Sequence, residues 1–223
     1  MHLNSDFTQK ALVKDQDNPW RASPSAGVER KMLDRIGDEV ARATTIVRFA
    51  PDSAFAPHTH DGGEEYIVLD GVFQDEAGDF PTGTYVRNPP TSRHTPGSAP
   101  GATIFVKLWQ FDPEDRKHVR IDMNSVDMRT DPMRTGVTTS ILFQDAHERV
   151  SLEAWTGGAS HQIATEGGAE VLILEGRVIE SGQALGPRDW LRLPPDAETV
   201  LSAGPDGARI WIKSGHLRQM IDV

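Results

Sequence analysis

The sequence lacks several features whose absence limits what the protein can do. Its 223 residues contain no cysteine, which excludes disulfides, thiolate metal ligands and cysteine nucleophiles. It has no run of about 18 apolar residues that could span a membrane and no apolar N-terminal stretch typical of a signal peptide. Its 23 basic residues are outnumbered by 33 acidic ones, and the net charge of −10 disfavours nucleic-acid binding. We therefore expect a cytoplasmic protein with neither membrane nor nucleic-acid partners.

Glycine and proline, with 20 and 15 residues, separate short runs that are rich in β-branched and aromatic residues. Short strands bounded by such turn residues are typical of an all-β sandwich or barrel. The runs that predict strands are residues 41–49, 65–69, 102–109, 138–143, 170–174 and 209–213.

An internal repeat organises the chain. HDGGEEYIVLDG at 60–71 aligns with TEGGAEVLILEG at 165–176, an offset of 105 residues (165 minus 60), and GATIFVK at 101–107 aligns with GARIWIK at 207–213. This self-similarity predicts a tandem duplication of about 100 residues. Residues 28–36 could form one face of a helix or a strand, and their β-branched repeat partner at 136–145 favours the strand.

The repeat also sets the expected domain boundaries. The polar residues 1–26 are predicted to form an N-terminal arm, followed by a first domain at 27–122 and a second at 123–223. The charged segment 112–135 between the two copies is expected to be a connector containing one strand.

Histidine and glutamate occur in the first copy with the spacing of a metal site. His58 and His60 lie two residues apart, so on a strand they face the same side, and Glu64 begins the next strand after an Asp-Gly-Gly turn. His94 follows a second hairpin. Three imidazole nitrogens and one carboxylate oxygen suit Zn(II), Fe(II), Mn(II), Ni(II) or Cu(II) better than Ca(II) or Mg(II). The alternative is a pair of surface histidines in a proline-rich loop.

The pattern H-x-H-x3-E-x6-G followed by G-x5-P-x4-H resembles the two conserved motifs of the cupin superfamily. The resemblance implies two tandem cupin barrels of the double-stranded β-helix or jelly-roll type, with a metal held by His58, His60, Glu64 and His94. Thr91 stands where the cupin pattern usually has glycine. Residues 62–96 resemble more closely the ChrR-type cupin, the C-terminal sensing domain of a family of zinc anti-sigma factors, and acetylacetone-cleaving dioxygenases resemble the same subgroup.

The second copy has lost the ligand pattern. The offset of 105 residues places other side chains at the four ligand positions, and a transition metal cannot be held by that set, which is Ile163, Thr165, Ala169 and Thr199. Residues 123–223 are therefore predicted to be a degenerate cupin without a metal, and 27–122 the metal-binding one.

Strand alternation makes further predictions around Glu64. Tyr66 and Val68 should share its inward face, while Glu65 should point outward. Tyr85 and Arg87, on the strand that approaches His94, could line the same pocket, although a surface ion pair is the favoured interpretation for Arg87.

These observations leave three functional hypotheses. The favoured one is a regulatory or sensing cupin that binds one divalent transition metal, with zinc preferred and iron, manganese or nickel as alternatives. The second is a mononuclear Fe(II) dioxygenase of the acetylacetone-cleaving type, and the third is a protein that a metal only stabilises. No catalytic residue is assigned.

The partners expected are a small-molecule ligand and a second copy of the chain. A sigma factor would be a partner by family resemblance alone. The chain argues against it, because it has no cysteine and only 26 residues ahead of its first cupin copy, where ChrR-type anti-sigma factors carry a zinc-binding module.

Overall fold

The structure, a computed structural model, describes residues 1–38 and 40–218 and consists mainly of antiparallel strands. The strands of the first part of the chain are β1 (His2–Leu3), β2 (Ala11–Val13), β3 (Arg21–Ala22), β4 (Val28–Gly37), β5 (Ala41–Phe49), β6 (Ser53–Ala54), β7 (His58–His60), β8 (Glu64–Asp75), β9 (Gly78–Pro81), β10 (Thr84–Asn88), β11 (Ser92–His94), β12 (Gly97–Ser98), β13 (Ala102–Leu108) and β14 (Val119–Asp122). The strands of the second part are β15 (Arg129–Thr130), β16 (Val137–Gln144), β17 (Arg149–Trp155), β18 (Ser160–Gln162), β19 (Ala169–Glu180), β20 (Gln183–Leu185), β21 (Trp190–Leu193) and β22 (Val200–Ser214). A single 3₁₀ turn at Asp15–Asp17 is the helical part of the described residues, and none of these residues forms a helix long and apolar enough for a membrane crossing.

The predicted all-β fold is confirmed, and each run predicted to be a strand lies within one, except that β13 ends at Leu108, one residue before the predicted end at 109. The ambiguous segment 28–36 is the long strand β4, as its repeat partner indicated. The connector 112–135 differs from the prediction of one strand, because it contains two, β14 and β15. Each of these is the edge strand of a sheet, β14 beside β10 and β15 beside β16.

The strands form two compact units. Among the described residues, unit 1 comprises Met1–Ser5 and Pro19–Ser125, and unit 2 comprises Asp6–Asn18 and the chain from Val126 onward. Residues 1–26 thus contribute to both units, since β1 pairs with β4 in unit 1 and β2 pairs with β21 in unit 2.

Each unit is built on one large antiparallel sheet with an apolar interior. In unit 1 the main path is β1-β4-β5-β13-β8-β10-β14, and β7 and β11 form a separate two-stranded ribbon. In unit 2 the path is β15-β16-β17-β22-β19-β21-β2. The interior of unit 1 contains the side chains Tyr66, Val68, Phe73, Phe80, Val86, Ala102, Ile104 and Val106.

A β-bulge in β8 decides which of its residues face the interior. Val68 pairs with Ile104 and Asp70 with Thr103, so Leu69 is the extra residue of the bulge. A bulge of one residue reverses the alternation of the strand beyond it. The inward positions are therefore 64, 66 and 68 before the bulge and 71, 73 and 75 after it.

Strand β19 of unit 2 has the same irregularity at the equivalent place. Leu174 is skipped in its pairing with β22, and Gly176 then pairs with Ala208 as Gly71 pairs with Ala102. The two bulges are 105 residues apart (174 minus 69). The sequence repeat thus corresponds to a repeated backbone feature.

Candidate metal centre

Three histidine rings of unit 1 converge at one point. His58 and His60 lie on β7 and His94 on β11, and the register of this ribbon sets His94 opposite His58. The ring centroids are 4.7, 5.0 and 4.9 Å apart, and one potential ligand atom from each ring lies within 4.8 Å of the other two. His94 is buried, His60 half-buried and His58 exposed, so the cluster opens to solvent on the His58 side. This cluster could hold a metal ion.

Hydrogen bonds on the far side of two rings orient them toward this point. His58 Nδ1 is 3.1 Å from the carbonyl oxygen of Ala56, and His94 Nδ1 is 3.3 Å from Asp75 Oδ2. Both partners only accept hydrogen bonds, so each Nδ1 carries the proton and each Nε2 presents a lone pair in the neutral ring. That is the tautomer in which a histidine can bind a metal through Nε2.

Glu64, the first residue of β8, lies beside two of the histidines. Its Oε2 is 3.5 Å from His60 Nε2 and 3.7 Å from His94 Nε2, and it accepts a hydrogen bond of 3.3 Å from Asn88 Nδ2. Burial raises the pKa of this carboxyl, against the opposing effects of His94 and the Asn88 hydrogen bond. A cation at the cluster would favour the ionised form. Glu64 as the fourth ligand remains a prediction.

The donor set fits a transition-metal ion. The Nε2 atoms of His60 and His94 are 2.9 Å apart. Two nitrogens bound at about 2.1 Å to one metal, at an angle of about 90–110°, would be separated by about 3.0–3.4 Å. In the metal-free chain a proton on His60 Nε2 can bridge this pair, and a divalent ion would replace it. Burial lowers the pKa of His60 to about 4, with a further contribution from His58, so the ring is neutral at physiological pH.

The backbone before His94 explains one departure from the cupin pattern. Thr91, where that pattern usually has glycine, has a φ of +74° in the left-handed region that favours glycine. Its amide donates to the carbonyl of His60, 2.9 Å away, so the turn ties the two ligand strands together. The geometry of the turn is kept although a β-branched residue occupies it.

The sequence did not single out Asp75 and Asn88, which contact the predicted ligands. Asp75 is eleven residues after Glu64, and simple alternation would put it on the opposite face. The bulge at Leu69 reverses that assignment. Asn88 pairs directly with Glu64 across β8 and β10, a register that the sequence alone does not specify.

The predictions for Tyr85 and Arg87 are wrong. Both face away from the interior, because Arg87 pairs with Glu65, whose side chain is on the other face of β8 from Glu64. Tyr85 donates a 2.5 Å hydrogen bond to Glu65 Oε1, and Arg87 lies 3.4 Å from the same atom and 2.9 Å from Asp115 Oδ2. Glu65 points away from the interior as predicted, but it is buried, as is Arg87, whose exposure of 1% rules out a surface ion pair. Tyr66 and Val68 do share the inward face.

The corresponding place in unit 2 has a different composition. Ile163 and Ala169 belong to the apolar core of that unit, and the hydroxyl of Thr165 donates to the carbonyl of Ala197 at 2.6 Å. Among the residues that the structure describes, the cluster at His58, His60 and His94 is the group that meets the geometric requirements for a metal.

Comparisons with known proteins agree with this fold. The ChrR cupin-like domain family matches residues 8–112. A comparison with curated protein sequences gives no match. Solved structures of similar fold include a candidate dioxygenase from Nostoc punctiforme (14% identity, TM-score 0.72, 99% of this chain and 84% of that one) and a Cupin 2 conserved barrel domain protein from Leptotrichia buccalis (11%, 0.61, 86% and 91%). The bacterial pirin YhhW of Escherichia coli in complex with nickel(II) is a third (14%, 0.62, 92% and 98%).

The motifs, the strand topology and these comparisons all indicate the same fold. Residues 8–112 match the ChrR cupin-like domain, and the chain has the fold of the cupin proteins.

Proposed function

We propose that this protein binds one divalent transition metal in unit 1, through His58, His60, Glu64 and His94, and uses the bound metal in a regulatory or sensing role. The observation that carries the proposal is the convergence of the three histidine rings, with the Nε2 atoms of His60 and His94 2.9 Å apart, beside the buried carboxyl of Glu64. Imidazole nitrogens and a desolvated carboxyl group are more stable around a cation than around each other.

Zinc is the metal we expect first, with iron, manganese and nickel as alternatives. All of them accept imidazole nitrogen and carboxylate oxygen. The nickel complex of the pirin YhhW supports a transition metal in a protein of this fold. When bound, such an ion would supply Lewis acidity and open coordination positions.

Two observations support the sensing role: residues 8–112 match the ChrR cupin-like domain, and the histidine cluster is open to solvent on one side. His58 is exposed whereas His94 is buried, so a small molecule or an oxidant could reach the ligands from one side while the other side stays fixed in the protein. A change at the exposed side would alter the coordination without unfolding the unit.

The test of metal binding is elemental analysis together with titration. The protein should bind close to one equivalent of metal per chain, and His94→Ala should bind less than a tenth of that amount. His118→Ala is the control, because His118 is an exposed histidine of the same unit. Full occupancy in His94→Ala would overturn the proposed ligand set.

The test of the sensing role is a comparison of partners. Metal-loaded and chelated protein, each immobilised, should recover different partners or bind a small-molecule ligand with different affinities, and His94→Ala should behave like the chelated form. Identical recovery and identical ligand affinities in the two states would rule out the role.

A mononuclear Fe(II) dioxygenase is the second candidate. The similarity in fold to the candidate dioxygenase of Nostoc punctiforme and the solvent-open His58 side of the cluster favour it. The Fe(II)-loaded protein would then consume oxygen with β-dicarbonyl compounds, which chelate metals through two oxygens. No oxygen uptake over a panel of such compounds would exclude this activity class.

A further inference from the structure

We propose that Asp75 is a positioning residue of the metal site, which fixes the orientation of the His94 ring and raises the affinity of its Nε2 for the metal. The inference depends on the metal binding proposed above. It assigns a role to a residue outside the predicted ligand set.

The contact between the two side chains has the geometry of an outer partner of a metal ligand. Asp75 Oδ2 lies 3.3 Å from His94 Nδ1, and the side chains are 7% and 6% exposed. The opposite ring nitrogen, Nε2, is the one 2.9 Å from His60 Nε2. Asp75 is therefore on the far side of the ring from the converging atoms and cannot share the metal with them.

The carboxylate of Asp75 is itself held in place. Its Oδ1 accepts a 2.7 Å hydrogen bond from the amide of Ala77, which leaves Oδ2 for the histidine. The next residue, Glu76, accepts a 2.8 Å hydrogen bond from the amide of Thr95. Two adjacent acidic residues of the β8–β9 hairpin thus hold the ring of His94 and the backbone that follows it.

A charged acceptor at Nδ1 affects the opposite nitrogen of the ring. His58 Nδ1 has the neutral carbonyl of Ala56 as its partner, whereas His94 Nδ1 has a carboxylate. Hydrogen bonds to ionised acceptors are about twice as strong as neutral ones, and a carboxylate on the distal nitrogen increases the basicity of a metal-ligating histidine. His94 should accordingly be a stronger ligand than His58.

Unit 2 provides an internal comparison. The position 105 residues after Asp75 is Glu180, and Thr199 occupies the position of His94 in the repeat. Glu180 Oε1 lies 2.9 Å from Lys10 Nζ and accepts a 2.7 Å hydrogen bond from Ser181 Oγ. Where the repeat has no histidine, an ammonium group neutralises the carboxylate at the end of the strand. This supports a link between Asp75 and the presence of His94.

The experiment compares Asp75→Asn with Asp79→Asn. Asparagine at 75 can keep the hydrogen bond to His94 Nδ1 but not the charge. Asp79 is an exposed residue of the same hairpin that accepts a hydrogen bond from Gln74, so its variant removes the same charge without changing the His94 contact. We expect Asp75→Asn to raise the dissociation constant for Zn(II), measured by competition with a chelating dye, by about tenfold or more. Asp79→Asn should stay within about twofold.

A spectroscopic measurement separates positioning from a general loss of structure. Co(II) bound to Asp75→Asn should show shifted d–d absorption bands, because the ligand field of His94 changes, while Asp79→Asn should give the wild-type spectrum. Circular dichroism in chelator checks that the variants are folded. Wild-type affinity together with a wild-type cobalt spectrum in Asp75→Asn would overturn the assignment. If the unmodified protein binds neither Zn(II) nor Co(II), the metal-binding proposal itself fails.

Discussion

At the scale of single residues, the site combines an exposed, a half-buried and a buried histidine. His60 shows the consequence for protonation most clearly, because burial and the neighbouring His58 lower its pKa from the usual 6.5 to about 4. A buried neutral imidazole can bind a metal without first losing a proton. In acid it lowers the free energy of unfolding, because the unfolded chain takes up a proton there that the folded chain does not.

This predicts an acid-dependent loss of stability in the metal-free protein. Between pH 6.5 and about 4 the unfolded state binds the proton of His60 and the native state does not, so the free energy of unfolding falls as the pH drops through this window. The pKa difference corresponds to about 3 kcal/mol at most. Urea unfolding in chelator at pH 7, 5.5 and 4.5 should show a smaller loss for His60→Gln than for the unmodified protein.

The control for this measurement is His118→Gln, which changes an exposed histidine and should follow the unmodified protein. If His60→Gln loses stability in parallel with the unmodified protein over the whole range, the neutral state of His60 is not a source of the acid sensitivity.

At the scale of elements, the strands β8 and β19 determine how each unit is built. Each has twelve residues, a bulged leucine and a glycine two residues later with a φ of +72°. A Cβ on Gly71 would lie 2.1 Å from the carbonyl oxygen of Gly101, and one on Gly176 would lie 2.2 Å from that of Gly207. Glycine is required here by both backbone conformation and close approach.

We therefore predict that Gly176→Ala strongly destabilises the protein. Gly182 is the matched control, because its φ of +78° is similar but a Cβ there would meet nothing within 4 Å. Gly182→Ala should cost about 1–2 kcal/mol of conformational strain. Gly176→Ala should cost at least about 2 kcal/mol more, or fail to fold, because the backbone must move. Equal losses in thermal or urea unfolding would show that close approach at the bulge is unimportant.

At the scale of the whole molecule, two units of related construction have different interiors. Unit 1 places imidazoles and a carboxyl group near one point, whereas unit 2 has Ile163 and Ala169 in its apolar core at corresponding positions. Apolar burial stabilises an interior without any ligand, at about 25 cal/mol per Å². Unit 1 would gain stability from a bound metal and unit 2 would not.

Hydrogen exchange measured with and without Zn(II) tests this difference. A ligand at a hundred times its dissociation constant stabilises the state that binds it by about 2.7 kcal/mol. We expect slower exchange in the segments that contain the ligands, 58–60, 64–75 and 92–94, and unchanged exchange in 169–180 of unit 2. His94→Ala should show no zinc-dependent change in any of these segments. Slower exchange confined to unit 2 would contradict the assignment of the site to unit 1.

The sequence alone determined the fold class, the repeat and the histidine pattern of this protein. Strand periodicity, turn residues and ligand spacing are local properties, so segments such as 28–36 and the His58–His60 pair could be interpreted without coordinates. Only the tertiary structure decided which side chains meet. Asp75 contacts His94 because a bulge at Leu69 reverses the faces of β8. Arg87 faces away from the interior because cross-strand register sets it opposite Glu65. Register and bulges depend on pairing between distant segments, and no single stretch of sequence contains that information.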